Sequence, residues 1–176
     1  MRCFYLTLFA LFLSGCNSVL THEISKPENV HQNAWDFGVL VNEYRAEMGL
    51  PELEWDIDLW RIASRHNTDM RDRSFFSHFN PSGESPFDRL RGIYIMYYHA
   101  AENLAFGQTT PETVLCNWLN SSKHRINIES SLYTHHAVAY DSVDHHWTHL
   151  FINYGYEKPF PLTKDFTLYT RIPLEN

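Results

Sequence analysis

The chain is short of several things, and each shortage narrows what it can be. Cysteine occurs three times in 176 residues, as Cys3, Cys16 and Cys116, so a disulfide framework is not what holds the fold together. Positive charge is scarce. Fourteen Lys and Arg against 21 Asp and Glu leave a net charge of −7, which argues against a wide nucleic-acid footprint. The apolar run Phe4–Leu13 is too short to span a bilayer as a helix. There is no internal repeat and no low-complexity tract. No HExxH pair fixes two zinc ligands on one helix, and no GxSxG elbow presents a nucleophilic serine.

What is present supports one domain with a sizeable core. Hydrophobic residues make up 44% and aromatics 15% of the chain, more than a disordered segment carries. Eleven histidines are too many for one site. The pairs His135-His136 and His145-His146 read as exposed loop or strand-end residues, whose charge would respond to pH near 6–7. The N-terminus reads as a targeting segment. Arg2 precedes the apolar run, and Leu13-Ser14-Gly15-Cys16 follows it. This is similar to a bacterial lipoprotein signal, in which cleavage precedes a cysteine that is then acylated. The similarity implies a leader over 1–15, a lipidated Cys16, and a polar tether over 16–34 that ends near the first helix. Asn17 is not the aspartate of an inner-membrane retention signal, so the outer membrane is the expected address. Cleavage removes Arg2 and deepens the negative charge by one. With Cys3 removed and Cys16 acylated, Cys116 is expected to have no disulfide partner.

The body reads as helices followed by a small sheet. Phe37, Leu40, Val41, Tyr44 and Met48 form one helical face within 35–48, and Gly49 stops it. Asp56 caps a second helix with Leu59, Ile62, Ala63, His66 and Met70 inward, so His66 is expected to be a satisfied core histidine. Ser85-Pro86-Phe87-Asp88 starts a short third helix that buries Phe87 and Leu90 and ends near Gly92. Thr110-Pro111 starts a fourth, carrying Val114, Leu115, Trp118 and Leu119 and stopping at Ser121-Ser122. The segments 137–140 and 147–154 pair as an antiparallel hairpin. The expected fold class is α+β, an α–β–α sandwich with a small antiparallel sheet. Its domain covers 35–156 and a tail covers 157–176.

Three polar clusters interrupt this pattern: SHFN at 77–80, AENL at 101–104, and SSKHRIN at 121–127. We expect His78, Glu102 and His124 to converge at the mouth of a cleft. Two imidazoles and a carboxylate there could bind a ligand, act as acid and base, or hold Zn²⁺ with water in the fourth place. They could also simply bond one another and staple loops over the core. Asn103 is expected to orient the Glu102 loop. Arg125 and Asn127 are expected to bond local carbonyls at the helix end. Cys116 is expected to be a buried, inert thiol rather than a nucleophile.

Taken in order, LVNEYRAEMGLPELEWDIDL (40–59), FFSHFNPSGESPFDRL (75–90), AENLAFG (101–107) and NWLNSSKHRINI (117–128), with HHAVAY and HWTHLFINYG behind them, resemble the CAP superfamily. That family comprises the cysteine-rich secretory, antigen 5 and pathogenesis-related proteins, and the disulfide-free bacterial branch is the nearest in pattern. The resemblance implies a cleft in which His78, Glu102 and His124 match family positions and in which some members hold zinc. The family's second acid falls at Ser121. Ala101 and Lys123 replace glycines, Ala137 replaces another, and His149 stands where glutamine is usual. The resemblance further implies an envelope protein that binds a small amphipathic ligand or a partner. A His/Glu or metal-dependent hydrolase and a purely structural envelope protein are the alternatives.

Overall fold

The structure is a computed structural model and describes residues 25–154. The leader, Cys16 and the tail over 157–176 lie outside the described residues.

Three layers form. A four-stranded sheet in the order β1-β3-β4-β2 is built from β1 (Glu54–Trp55), β2 (His99–Phe106), β3 (His135–Tyr140) and β4 (His146–Asn153). The pairs β2·β4 and β3·β4 are antiparallel. β1 pairs parallel to β3, so the sheet is mixed rather than wholly antiparallel. Strand β2 is an edge and contains the AENL segment, which is therefore a strand and not a loop. Helix α1 (Gln32–Glu47) and helix α4 (Pro111–Asn120) cover one face, and α2 (Ile57–Asp72) with α3 (Pro86–Arg91) covers the other. A short α5 (Ser122–Ile128) follows α4.

Side-chain alternation along the strands divides the core. Phe37, Val41, Trp118, Val138, Trp147 and Phe151 make one cluster against α1 and α4. Leu59, Ile62, Ala63, Leu90, Ala137, Leu150 and Ile152 make the other against α2 and α3. Gly38 lets α1 approach: a Cβ there would lie 2.8 Å from Trp55 Cζ3.

The caps fall where the residue types predict them, with one exception. Asp56 accepts from the amides of Asp58 and Leu59. Ser85 and Asp88 form a reciprocal capping box. Thr110 accepts from Thr113 N. Helix α1 starts earlier than expected, because the ring of His31 accepts from Asn33 N as its N-cap. Val30 is buried in the core, so the domain begins within the stretch read as tether. Met48 and Phe87 are 55% and 40% exposed, against the expectation that they pack inward. Met48 is the C-cap of α1, past the last helical turn, and in α3 the inward positions are Pro86, Arg89 and Leu90.

The paired histidines also differ from expectation. His136 and His146 are buried, because β3 and β4 are inner strands covered on both faces, whereas His135 only begins β3 and His145 precedes β4. Cys116 is half-buried on α4 rather than fully buried as expected.

Candidate functional site

Register on the edge strand sets the site. Glu102 pairs with Leu150 and Asn103 with His149. Leu150 belongs to the core facing α2 and α3, while His149 stacks on Trp118 of α4 at 5.8 Å. Glu102 and Asn103 therefore serve opposite faces of the sheet.

On the first face, Glu102 is buried with both oxygens engaged. Oε1 lies 2.8 Å from His78 Nδ1, and Oε2 accepts from Arg89 Nη2 at 2.8 Å. An ionised carboxylate only accepts, so the proton of a neutral His78 sits on Nδ1 and its Nε2 is an acceptor. Side-chain exposure is 47% for His78 and 2% for Glu102. The buried acid thus fixes an imidazole that remains open to solvent. Arg89 Nη1 also donates to the carbonyls of His78 at 3.1 Å and Glu84 at 3.3 Å. It clasps both ends of the 78–84 loop. Beneath it, His66 Nε2 donates to Ser77 O at 3.0 Å, so this core histidine anchors the residue before His78. Its Nδ1 has no partner, and burial holds it below the usual imidazole range.

On the second face, Asn103 Nδ2 donates to His124 O at 3.1 Å, and Asn127 Nδ2 donates to Asn103 Oδ1 at 2.8 Å. Asn103 thus orients α5 rather than the Glu102 segment, and Asn127 bonds Asn103 rather than a helix-end carbonyl. Arg125 does bond a carbonyl, that of Leu119 at 3.3 Å. Ser121 adopts an extended conformation that ends α4, and α5 restarts at Ser122. His124 therefore sits in the first turn of a helix, with its ring 6.1 Å from that of Trp118. Burial first, and then the charges of His78 and Lys123, push its pKa down. The influence of His78 places the two rings in one electrostatic neighbourhood.

The sequence-derived trio is therefore brought together in part. His78 and Glu102 bond directly. His124 is tied through its backbone carbonyl to Asn103, and among the described residues no hydrogen bond links its ring to Glu102. Zinc would need three close donors. Among the described residues no three His, Cys, Asp or Glu side chains are grouped to hold an ion, and both Glu102 oxygens already have donors. The residues as they stand do not fit the metal.

Two functional features escaped sequence reading. Arg89 is one. Its signal was weak: a charged residue three positions after Pro86, on the inward face of a very short helix. The other is the pair His136 and His149, both buried, with Nδ1 and Nε2 3.0 Å apart. Burial lowers the pKa of His136 to about 3 and that of His149 well below normal, and nearby Arg45 adds to both shifts.

Around His78 the surface is aromatic. Phe76, Phe79 and Phe106 are 51%, 60% and 53% exposed. Phe76 and Phe106 lie 5.9 Å apart, and Phe106 lies 4.7 Å from His146. Chemically, this is an oriented imidazole acceptor beside an apolar rim. Beside it in the chain, Ser77 Oγ accepts from Phe79 N.

The family model described as the cysteine-rich secretory protein family, CAP, matches residues 40–154. The uncharacterised protein YkwD of Bacillus subtilis is 41% identical over 113 residues, 64% of this chain and 44% of that protein. The uncharacterised membrane protein YlbC of the same organism is 32% identical over 128 residues, 68% of this chain and 37% of that protein. The chain thus spans less than half the length of either relative. An SCP-domain extracellular protein of Bacillus anthracis superposes with a TM-score of 0.65 at 32% identity, over 69% of this chain and 40% of that one. An outer surface protein of Borrelia burgdorferi superposes with a TM-score of 0.64 over 69% of this chain and 92% of that one, and its 19% identity bears on the fold alone.

Proposed function

Because the chain belongs to the cysteine-rich secretory protein (CAP) family, we propose that it is an extracytoplasmic protein, lipid-anchored through Cys16. Its domain binds a small amphipathic ligand at His78. The observation that carries the reading is the half-exposed His78, fixed by buried Glu102 and flanked by Phe76 and Phe79. A fixed imidazole beside exposed phenylalanines suits a molecule with an apolar body and one polar head: Nε2 accepts from a protic head and, once the ring is protonated, donates to a carboxylate. A solved relative described as an extracellular protein supports an extracytoplasmic setting. The leader resemblance favours the outer membrane, and the negative charge makes nucleic acid a poor partner. His78, Glu102, Asn103 and His124 shape the site. The first is the direct contact, and Asn103 acts by holding α5.

Calorimetric titration of decanoate into the full chain tests this. Binding that falls at least tenfold in His78→Ala is the expected result. Equal affinity in both proteins sinks the cleft as the ligand site, and binding to neither leaves an envelope partner or a structural role. A second reading, a hydrolase in which Nε2 of His78 removes a proton from water, is favoured by the same Glu102–His78 contact. It requires turnover that His78→Ala abolishes in a folded protein.

A further inference from the structure

We propose that Arg89 is the built-in cation of this site, occupying the place at Glu102 that a divalent ion would need. The inference stands on the bonding of Glu102 and does not depend on which ligand the cleft takes.

A carboxylate buried on a sheet face requires a counter-charge or a proton. Arg89 supplies the charge at 2.8 Å from Oε2, with its own side chain only 8% exposed. The guanidinium is not a mobile surface group. Two carbonyls, of His78 and Glu84, hold Nη1, so withdrawing it would release the loop that carries His78. Its Nε has no hydrogen-bond partner. A residue that served only to fill space at this position would avoid that cost, as leucine or methionine would. The arrangement makes sense if the charge itself is needed at Glu102.

Two consequences follow. Arg89 is a positioning residue: it engages Oε2 of Glu102 and so leaves Oε1 to order Nδ1–H of His78, with Nε2 as the acceptor. An arginine cannot lose its proton in a protein, so this counter-charge does not depend on metal supply and cannot be removed by a chelator. Glu102 serves the α2–α3 face, whereas Asn103, one residue on, holds the backbone carbonyl of His124. The site of this chain works through hydrogen bonds and a fixed guanidinium.

Zinc calorimetry on the full chain near pH 7 tests the proposal, with wild type, Arg89→Lys, Arg89→Gln and the last combined with His78→Ala. The His78→Ala background separates this site from the other histidines. Wild type and Arg89→Lys are expected to show no zinc binding that depends on His78. Arg89→Gln frees Oε2 and leaves Glu102 without its counter-charge, so it should gain one-to-one binding at least tenfold tighter, lost again with His78→Ala. Zinc binding by wild type that vanishes in His78→Ala overturns the proposal. So does a folded Arg89→Gln that gains none. If Arg89→Gln does not fold, wild type and Arg89→Lys decide: His78-dependent binding in either one overturns it, and its absence in both upholds it.

Discussion

Glu102 shares a buried pair with Arg89, so its removal should cost more than the loss of one hydrogen bond. Glu102→Ala leaves a guanidinium buried without its partner, and stability should fall by about 3–5 kcal/mol, read from urea unfolding. A loss under about 1 kcal/mol would mean the pair is solvated in solution. At this scale His78 and Glu102 were legible, because polar residues that interrupt apolar patterns beside turns stand out. Arg89 was not legible, since nothing local distinguishes an inward arginine from the outward Arg91 two positions later. The burial of His136 and His149 depends on β3 and β4 lying inside the sheet with both faces covered, which the local sequence pattern does not say. His149 sits among Phe37, Trp118 and Phe151 rings, which requires α1 and α4 to be in place.

Helix α3 delivers Arg89 and is only six residues long, too short to stand without its cap. Ser85 accepts from Asp88 N, and Asp88 accepts back from Ser85 N. Ser85→Ala should therefore cost about 1 kcal/mol, and it should also weaken decanoate binding by loosening the clasp on the 78–84 loop. Unchanged affinity with lowered stability would separate the cap from the site. Helix α1 offers a second test. Gly38→Ala places a methyl against Trp55 and should destabilise by about 1–3 kcal/mol, visible as a lower thermal midpoint. Most elements were readable from caps and periodicity: Asp56, Ser85 and Thr110 each start a helix as their residue types suggest. The restart at Ser122 was not, because Ser121 makes no side-chain cap there and the break is a backbone event. The two-residue β1 was also missed, since it exists only by pairing with β3.

The molecule as a whole should lose stability in mild acid. His136 has a folded pKa of about 3, and an unfolded histidine titrates near 6.5. Between these values the unfolded chain binds a proton that the folded chain refuses. The contribution is fully present above about pH 6.5 and is lost as pH falls toward 3, at up to about 1.4 kcal/mol per pH unit for each such group. His149, His66, His124 and His146 are shifted in the same direction. The pair faces Arg45 and His135 as its charged neighbours. Urea midpoints should drop between about pH 6.5 and 4, and His149→Gln should flatten that drop. An equal slope in the variant would place the titrating groups elsewhere. The fold class was legible because caps, stripes and alternating strands agreed with one another. The incomplete meeting of His78, Glu102 and His124 was not, because neighbours on an edge strand point to opposite faces. The most direct test of the account is nitrogen NMR of histidine-labelled full chain, with decanoate added. The account predicts that the neutral His78 ring carries its proton on Nδ1, bonded to Glu102, and that its Nε2 resonance moves as decanoate binds. A proton on Nε2, or a His78 ring that does not respond at saturating decanoate, would contradict it.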